Sequence, residues 1–172
     1  MTDPTDRYGK WMAGLAALAI LVVLTLLFGN QIERARNPNR AVESLMYANG
    51  EVTVALDRNR MGHYVATGYI NGEPVELLVD TGATAVAVSQ DVARAAGLEP
   101  GYAHQVMTAN GTATAYMTRI DTLDLGDIRM RNVEASITPG MRAHQVLLGM
   151  SFLRDLEFSQ RDGTLRITGP AR

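Results

Sequence analysis

Leu77-Leu78-Val79-Asp80-Thr81-Gly82-Ala83 is the stretch on which the reading of this chain turns. Three apolar residues run without interruption into a carboxylate, and Thr-Gly follows. The run from Val75 to Val79 predicts a buried strand. A carboxylate at its tip then sits in a poorly solvated place, where ionisation costs free energy unless something compensates it. Gly82 permits a tight turn and a close backbone approach. Thr81 offers a hydroxyl that can bond locally or across an interface. By itself, Asp-Thr-Gly is also what an ordinary turn looks like, so the surrounding chain has to decide.

Upstream, Val52, Val54 and Leu56 alternate with other residues as a half-buried strand does. His63 to Ile70 is β-rich and ends at Asn71-Gly72, a hairpin signal that leads into the strand before Asp80. Downstream, Val86 to Val88 reads as a strand, and Ser89 caps a short helix through Leu98 with Gly97 near its end. Gln105 to Ala109 and Thr112 to Met117 flank Asn110-Gly111, a second hairpin. Ile120 to Leu125 and Ile128 to Ile137 predict further strands. Val146 to Leu148 is apolar and stops at Gly149. Leu156 to Phe158 and Leu165 to Ile167 flank Asp162-Gly163, a third hairpin. Many short strands joined by Gly-containing turns predict a small all-β barrel or sandwich over residues 51–172. That span of about 120 residues is enough for one core.

The N-terminal part has a different texture. Trp11 to Phe28 holds no charged residue, and its only polar side chain is Thr25. As a helix it rises about 27 Å, close to the roughly 30 Å hydrocarbon core of a bilayer. Trp11 stands at one end, where an indole favours the interface. A core helix would show a polar stripe. A cleaved signal peptide would have a basic start, a shorter apolar run and small residues before the cut. The expectation is a tail over 1–10, an uncleaved anchor over 11–29 that touches lipid through residues 11–28, and a polar linker or loose helical stem over 30–50.

Of the 172 residues, 47% are hydrophobic and 20% charged, and the formal net charge is −2. Nothing in that balance favours a nucleic-acid partner. The chain has no cysteine, which excludes disulfides, thiolate metal sites and a cysteine nucleophile. His63, His104 and His144 lie far apart without ligand spacing. Ser151 after Gly149-Met150 mimics part of a nucleophile elbow, but the closing Gly is missing; it reads as the cap of the next helix. Asp121, Asp124 and Asp127 alternate with Leu123 and Leu125, which predicts a solvated strand face. Tyr116, past the tip of the second hairpin, either covers the site or packs across strands.

The ordered set of an apolar strand entering Asp80-Thr81-Gly82-Ala83, the hairpin at Ala109-Asn110-Gly111-Thr112, then Leu147-Leu148-Gly149 leading into Met150-Ser151-Phe152-Leu153, resembles retropepsin-like aspartic proteases. With the anchor, it is similar to the bacterial membrane-anchored group bearing a DTGA motif. The resemblance implies a closed acid-protease barrel, one lobe per chain, with short helices and a single transmembrane helix before it. It implies aspartic endopeptidase activity on an extended peptide or protein, without a cofactor. By resemblance, Asp80 is the catalytic carboxylate, Thr81 links the two active-site loops, and the backbone of Gly82 lies beside substrate. Leu148 and Gly149 brace the loop. Asn110 and Gly111 form the flap tip, and with Ala83 they meet substrate. Thr84-Ala85 stands where viral members often place an Asp that holds substrate backbone, so polar contacts there are not implied.

The chemistry needs two carboxylates sharing a proton, and the chain has one Asp-Thr-Gly. Asp121-Thr122 continues with Leu123, and Asp162-Gly163 has the wrong order. The second carboxylate is therefore expected from another copy across a two-fold axis, in a homodimer. Charge barely distinguishes orientation: Arg7 and Lys10 precede the span, and Arg34, Arg36 and Arg40 follow it. The resemblance implies a bacterial inner-membrane protein with a periplasmic C-terminal domain. A rival from another class is a non-catalytic, membrane-anchored peptide-binding or dimerisation module on the same fold. Self-processing within residues 30–50 is a third possibility.

Overall fold

A computed structural model describes residues 4–108 and 111–171. The chain forms two units, Met1–Arg36 and Asn37–Arg172. The first is one helix, α1 (Pro4–Arg36), whose stretch Trp11–Arg36 is long and apolar enough to cross a membrane. Its apolar side chains are exposed all round, as the missing polar stripe predicts. The helix does not stop at the end of the apolar run. It continues through the polar residues to Arg36.

The second unit contains β1 (Glu43–Met46), β2 (Glu51–Asp57), β3 (Val65–Ile70), β4 (Glu73–Val79), β5 (Val86–Val88), α2 (Gln90–Ala95), β6 (Ala103–Thr108), β7 (Gly111–Leu125), β8 (Ile128–Ile137), β9 (Gln145–Leu148), α3 (Met150–Leu153), β10 (Glu157–Arg161) and β11 (Thr164–Pro170). Six strands close on themselves in the order β3-β4-β9-β5-β8-β7, with β7 pairing back to β3 through Tyr69↔Asp124 and Ile70↔Leu123. The fold is thus a closed all-β barrel, with β6 added outside β7. A second sheet, β1-β2-β11-β10, shares its core: Val54, Leu56 and Ile167 are buried together with Leu77, Leu123, Ile128 and Leu148.

The turn chemistry explains the hairpins. Asn71 and Gly72 have φ of 51° and 89°, and Asp162 and Gly163 have 51° and 82°. Both central residues left-handed is the turn that matches strand twist. Ser89 Oγ accepts the Val92 amide at 3.2 Å and starts α2, which ends earlier than Leu98, with Gly97 at φ 67°. The strands expected over Thr112–Met117 and Ile120–Leu125 are one continuous β7, because no turn residue separates them and their pairings hand over without a break, β6 taking Gly111–Tyr116 and β8 taking Tyr116–Leu125.

Two expectations need correction. The segment 30–50 is not a loose linker. Its first residues, to Arg36, are helical as a stem would be, but Asn37 and Asn39, which are buried, and β1, paired antiparallel to β2, belong to the folded unit. Asn39 Nδ2 donates to the Val65 and Asp57 carbonyls at 2.7 and 2.9 Å, and its Oδ1 accepts the Asp57 amide at 2.7 Å. The Asn39 carbonyl accepts Thr67 N–H. Asp124 does not lie on a solvated face either: it is 2% exposed. Asp124 stands opposite Arg129 across the β7–β8 turn, and the guanidinium grips both carboxylate oxygens at 2.6 Å.

Candidate active site

β4 and β9 run parallel, with Leu78 opposite Leu147 and Val79 opposite Leu148. Parallel strands end on the same side, so Asp80 and Gly149 emerge together. The Asp80 amide continues the ladder by donating to the Leu148 carbonyl at 3.2 Å. The chain then turns sharply. Gly82 N–H donates to Asp80 Oδ1 at 2.9 Å, and Ala83 N–H to the Asp80 carbonyl at 3.2 Å. The carboxylate is thereby fixed through one oxygen by its own turn. Oδ2 has no hydrogen-bond partner among the described residues.

The second element holds the loop by its carbonyls. The first amides of a helix have no partner within the helix. In α3 they find the loop: Met150 N–H donates to the Ala83 carbonyl at 2.8 Å, and Ser151 N–H to the Thr84 carbonyl at 3.1 Å. This approach demands glycine before the helix. A Cβ on Gly149 would stand 2.3 Å from the Ala85 oxygen and 2.8 Å from the Ala83 oxygen, well inside van der Waals contact.

Ser151 is not the helix cap expected from sequence. Gly149 occupies the cap position without a side-chain bond, and Ser151 lies inside α3. Its hydroxyl accepts the Val86 amide at 2.9 Å and donates to the Glu134 carbonyl at 2.7 Å. It rivets the loop exit to β8. A short polar residue at the second position of a helix that faces two strands was the available signal.

The burial expected at Asp80 is incomplete within one chain. Leu77 is fully buried, but Leu78, Val79 and Asp80 are half-buried, and Thr81, Gly82 and Thr84 are exposed. Ala83 and Ala85, beside α3, are half-buried, while Thr81 and Gly82 next to Asp80 meet solvent. The Thr81 hydroxyl has no hydrogen bond among the described residues. Leu148 and Gly149 are buried.

The hairpin of the second expected element exists as β6 and β7, closed by Thr108↔Gly111, with Gly111 at φ 104°. Asn110, named with Gly111 as the tip, lies outside the described residues, as does Ala109. Met107 near the tip is 91% exposed. Tyr116 stands opposite Ala103 and Ile137, a cross-strand position away from the tip. Among the described residues, no three His, Asp or Glu side chains come together as a metal site. His104 Nε2 instead lies 3.2 Å from Ser136 Oγ.

The chain is similar to known proteins. Residues 66–155 match the family described as "gag-polyprotein putative aspartyl protease". The chain is 33% identical over 176 residues to a Sinorhizobium sp protein named "Uncharacterized protein in cobV 5'region", covering 94% of this chain and 75% of that one. It is similar to the crystal structure of a retropepsin-like aspartic protease from Rickettsia conorii, with a TM-score of 0.62 at 23% identity, covering 76% of this chain and 96% of that one. A more distant likeness is to EIAV protease complexed with the inhibitor HBY-793, with a TM-score of 0.45 at 18% identity over 56% of this chain and 90% of that one.

Proposed function

The chain belongs to the retropepsin-like aspartic protease family, and from that premise we propose that it is an endopeptidase whose catalytic unit is a homodimer. Fold and family support aspartic-type peptidase activity. The finer reading assigns the catalysis to Asp80 and its copy in the partner.

The observation that carries it is the state of Asp80 itself. It is the carboxylate of the chain's one Asp-Thr-Gly, held through Oδ1 by Gly82 N–H, with Oδ2 uncommitted and the outer side of its loop uncovered. A two-fold axis at that open side sets the two carboxylates against each other and brings each Thr81 hydroxyl toward the opposite loop. Two carboxylates that close do not both ionise, so the pair holds one proton. The ionised member takes a proton from water as the oxygen attacks the scissile carbonyl carbon. The protonated member donates to the carbonyl oxygen. Collapse of the tetrahedral intermediate breaks the C–N bond, and a proton passes to the leaving amine. The peptide lies extended between the β6–β7 hairpin and the loop floor, bonded through its main chain. Gly82 and Ala83 border it from below, and Gly111 on the hairpin covers it from above.

In this reading α1 is a single uncleaved membrane anchor, and the protease domain faces the periplasm. Confinement to a membrane raises the local concentration of protomers and favours pairing.

The test is Asp80→Asn in the full-length protein. Peptide hydrolysis is expected to fall to background while the fold persists. Mixing the variant with wild type should lower activity beyond dilution, because mixed dimers hold one carboxylate only. Statine-type transition-state mimics should inhibit the wild type. Undiminished cleavage by Asp80→Asn would overturn the assignment.

A further inference from the structure

We infer that the site acts on polypeptide held close to the membrane surface, the juxtamembrane segments of other membrane-bound chains. This rests on the proteolytic reading and on α1 as anchor. The argument is one of reach. The apolar run ends at Phe28, and Asn37 is already buried in the folded unit. Only residues 29–36 lie between, and they are helical. As helix they rise about 12 Å. Even fully extended they span at most about 29 Å.

From there the path to the site is short and runs through paired strands. Asn39 bridges Ala66, and Ala66 pairs with Leu77. Asp80 is therefore two strand spacings across and three residues along, about 14 Å from Asn39. Adding about 7 Å for Asn37 to Asn39, covalent connection alone keeps Asp80 within roughly 50 Å of the end of the apolar run, and about 33 Å if the helix persists. A flexible linker over 30–50 would have allowed well over that distance. The clasp of Asn37, Asn39 and β1 removes it: Asn37 Nδ2 donates to Thr67 Oγ1 at 3.1 Å, and Asn39 N–H to Asn37 Oδ1 at 3.0 Å. Substrates anchored in the same bilayer share that thin layer and gain effective concentration. Segments projecting far beyond it do not.

The test reconstitutes the full-length protein in phosphatidylcholine–phosphatidylglycerol vesicles. Reporters carry one apolar helix, a spacer and a randomised extended segment with a terminal tag. One spacer has about five residues; the other is a Pro-rich rod of about 30 residues that holds the segment roughly 90 Å out. The same randomised segments are also supplied free in solution. Short-spacer reporters should release tag at least about tenfold faster than long ones. A flexible insert of about 40 Gly and Ser residues between Arg36 and Asn37 should narrow that difference. Equal release from both spacers overturns the reach limit while leaving the protease reading intact. Failure to cleave any reporter or the free segments overturns the protease reading, and the inference with it. Protein that does not float with the vesicles removes the anchor and overturns the inference alone.

Discussion

Gly149 and Ala85 approach so closely that a Cβ on the glycine would stand 2.3 Å from the alanine carbonyl oxygen. The backbone of Gly149 is extended, with φ −86° and ψ −173°, so its requirement is for space and not for an unusual conformation. Gly149→Ala must push the Ala83–Ala85 loop away from α3. The expected loss of stability is about 1–3 kcal/mol, measured by urea unfolding. Activity should fall further than stability does, because the displaced loop carries Asp80. A variant with wild-type cleavage would show that the brace does not set the carboxylate.

Ser151 supplies a second, gentler test of the same support. Ser151→Ala orphans the Val86 amide, which sits on a fully buried residue, and one acceptor pairing at Glu134. An unsatisfied buried donor costs about 1–3 kcal/mol. Peptide turnover is expected to drop with little change in substrate affinity, and Ser151→Thr should restore part of it. The readout is kcat against KM for one peptide.

Asp124 and Arg129 form an ion pair whose carboxylate is buried, and the pair sits where β7 closes the barrel onto β3. Hydrogen bonding to Asp124 holds the Arg129 pKa above its ordinary value. A pKa raised on folding contributes stability fully below the unfolded value and loses it only above. For an arginine that window lies above pH 12 or so, so Arg129 should add nothing to the pH dependence between about pH 6 and 9. Arg129→Met is expected to lower Tm by a similar amount across that range. The loss should exceed that of Arg94→Met, whose partner Asp91 is an exposed neighbour on α2. Equal Tm shifts would deny the pair a structural role.

The folded unit begins at Asn37, and this gives a sharp contrast between truncations. Residues 37–172 are expected to fold. Residues 51–172 lack Asn39 and β1, leave Asp57 and Val65 backbone groups unpaired, and uncover the edge of β2. They should aggregate or unfold at lower temperature. Asn39→Ala within 37–172 should cost roughly 2–4 kcal/mol, read by thermal melting.

That boundary also shows where the sequence stops being legible. The Asn71-Gly72 and Asp162-Gly163 turns could be read directly, because left-handed geometry is written into two adjacent residues. The loop at Asp80 and its brace at Leu147-Leu148-Gly149 could be read because each is a contiguous motif, and parallel pairing of β4 with β9 brings the two together. Asn37 and Asn39 could not be: a polar, Asn-rich stretch looks like linker until its partners at Asp57, Val65 and Thr67 are known, and those lie about 20 to 30 positions away. Asp124 failed for a nearer reason. Its alternation with Leu123 and Leu125 suggested solvent, and only the tight turn at Gly126-Asp127 sets it against Arg129. The exposure of Thr81, Gly82 and Thr84 could not be read either, because the apolar strand entering Asp80 predicts burial and says nothing of what covers the loop beyond it.

The proposed dimer can be trapped chemically, because the chain has no cysteine to interfere. Thr81 is exposed in the single chain and follows Asp80 directly, so a two-fold axis through the Asp80 pair brings the two Thr81 positions near each other. A disulfide forms when Cα atoms come within about 4.4–6.8 Å. Full-length Thr81→Cys under mild oxidation should run as a dimer on a non-reducing gel and revert with reductant. Glu99→Cys, exposed after α2, serves as the collision control and should remain monomeric at the same protein density in the membrane. Crosslinking should rise with protomer density, as pairing does. If Thr81→Cys crosslinks no faster than the control while the protein still cleaves peptide, the two Asp80 loops do not meet, and the second carboxylate must come from somewhere other than a symmetric partner.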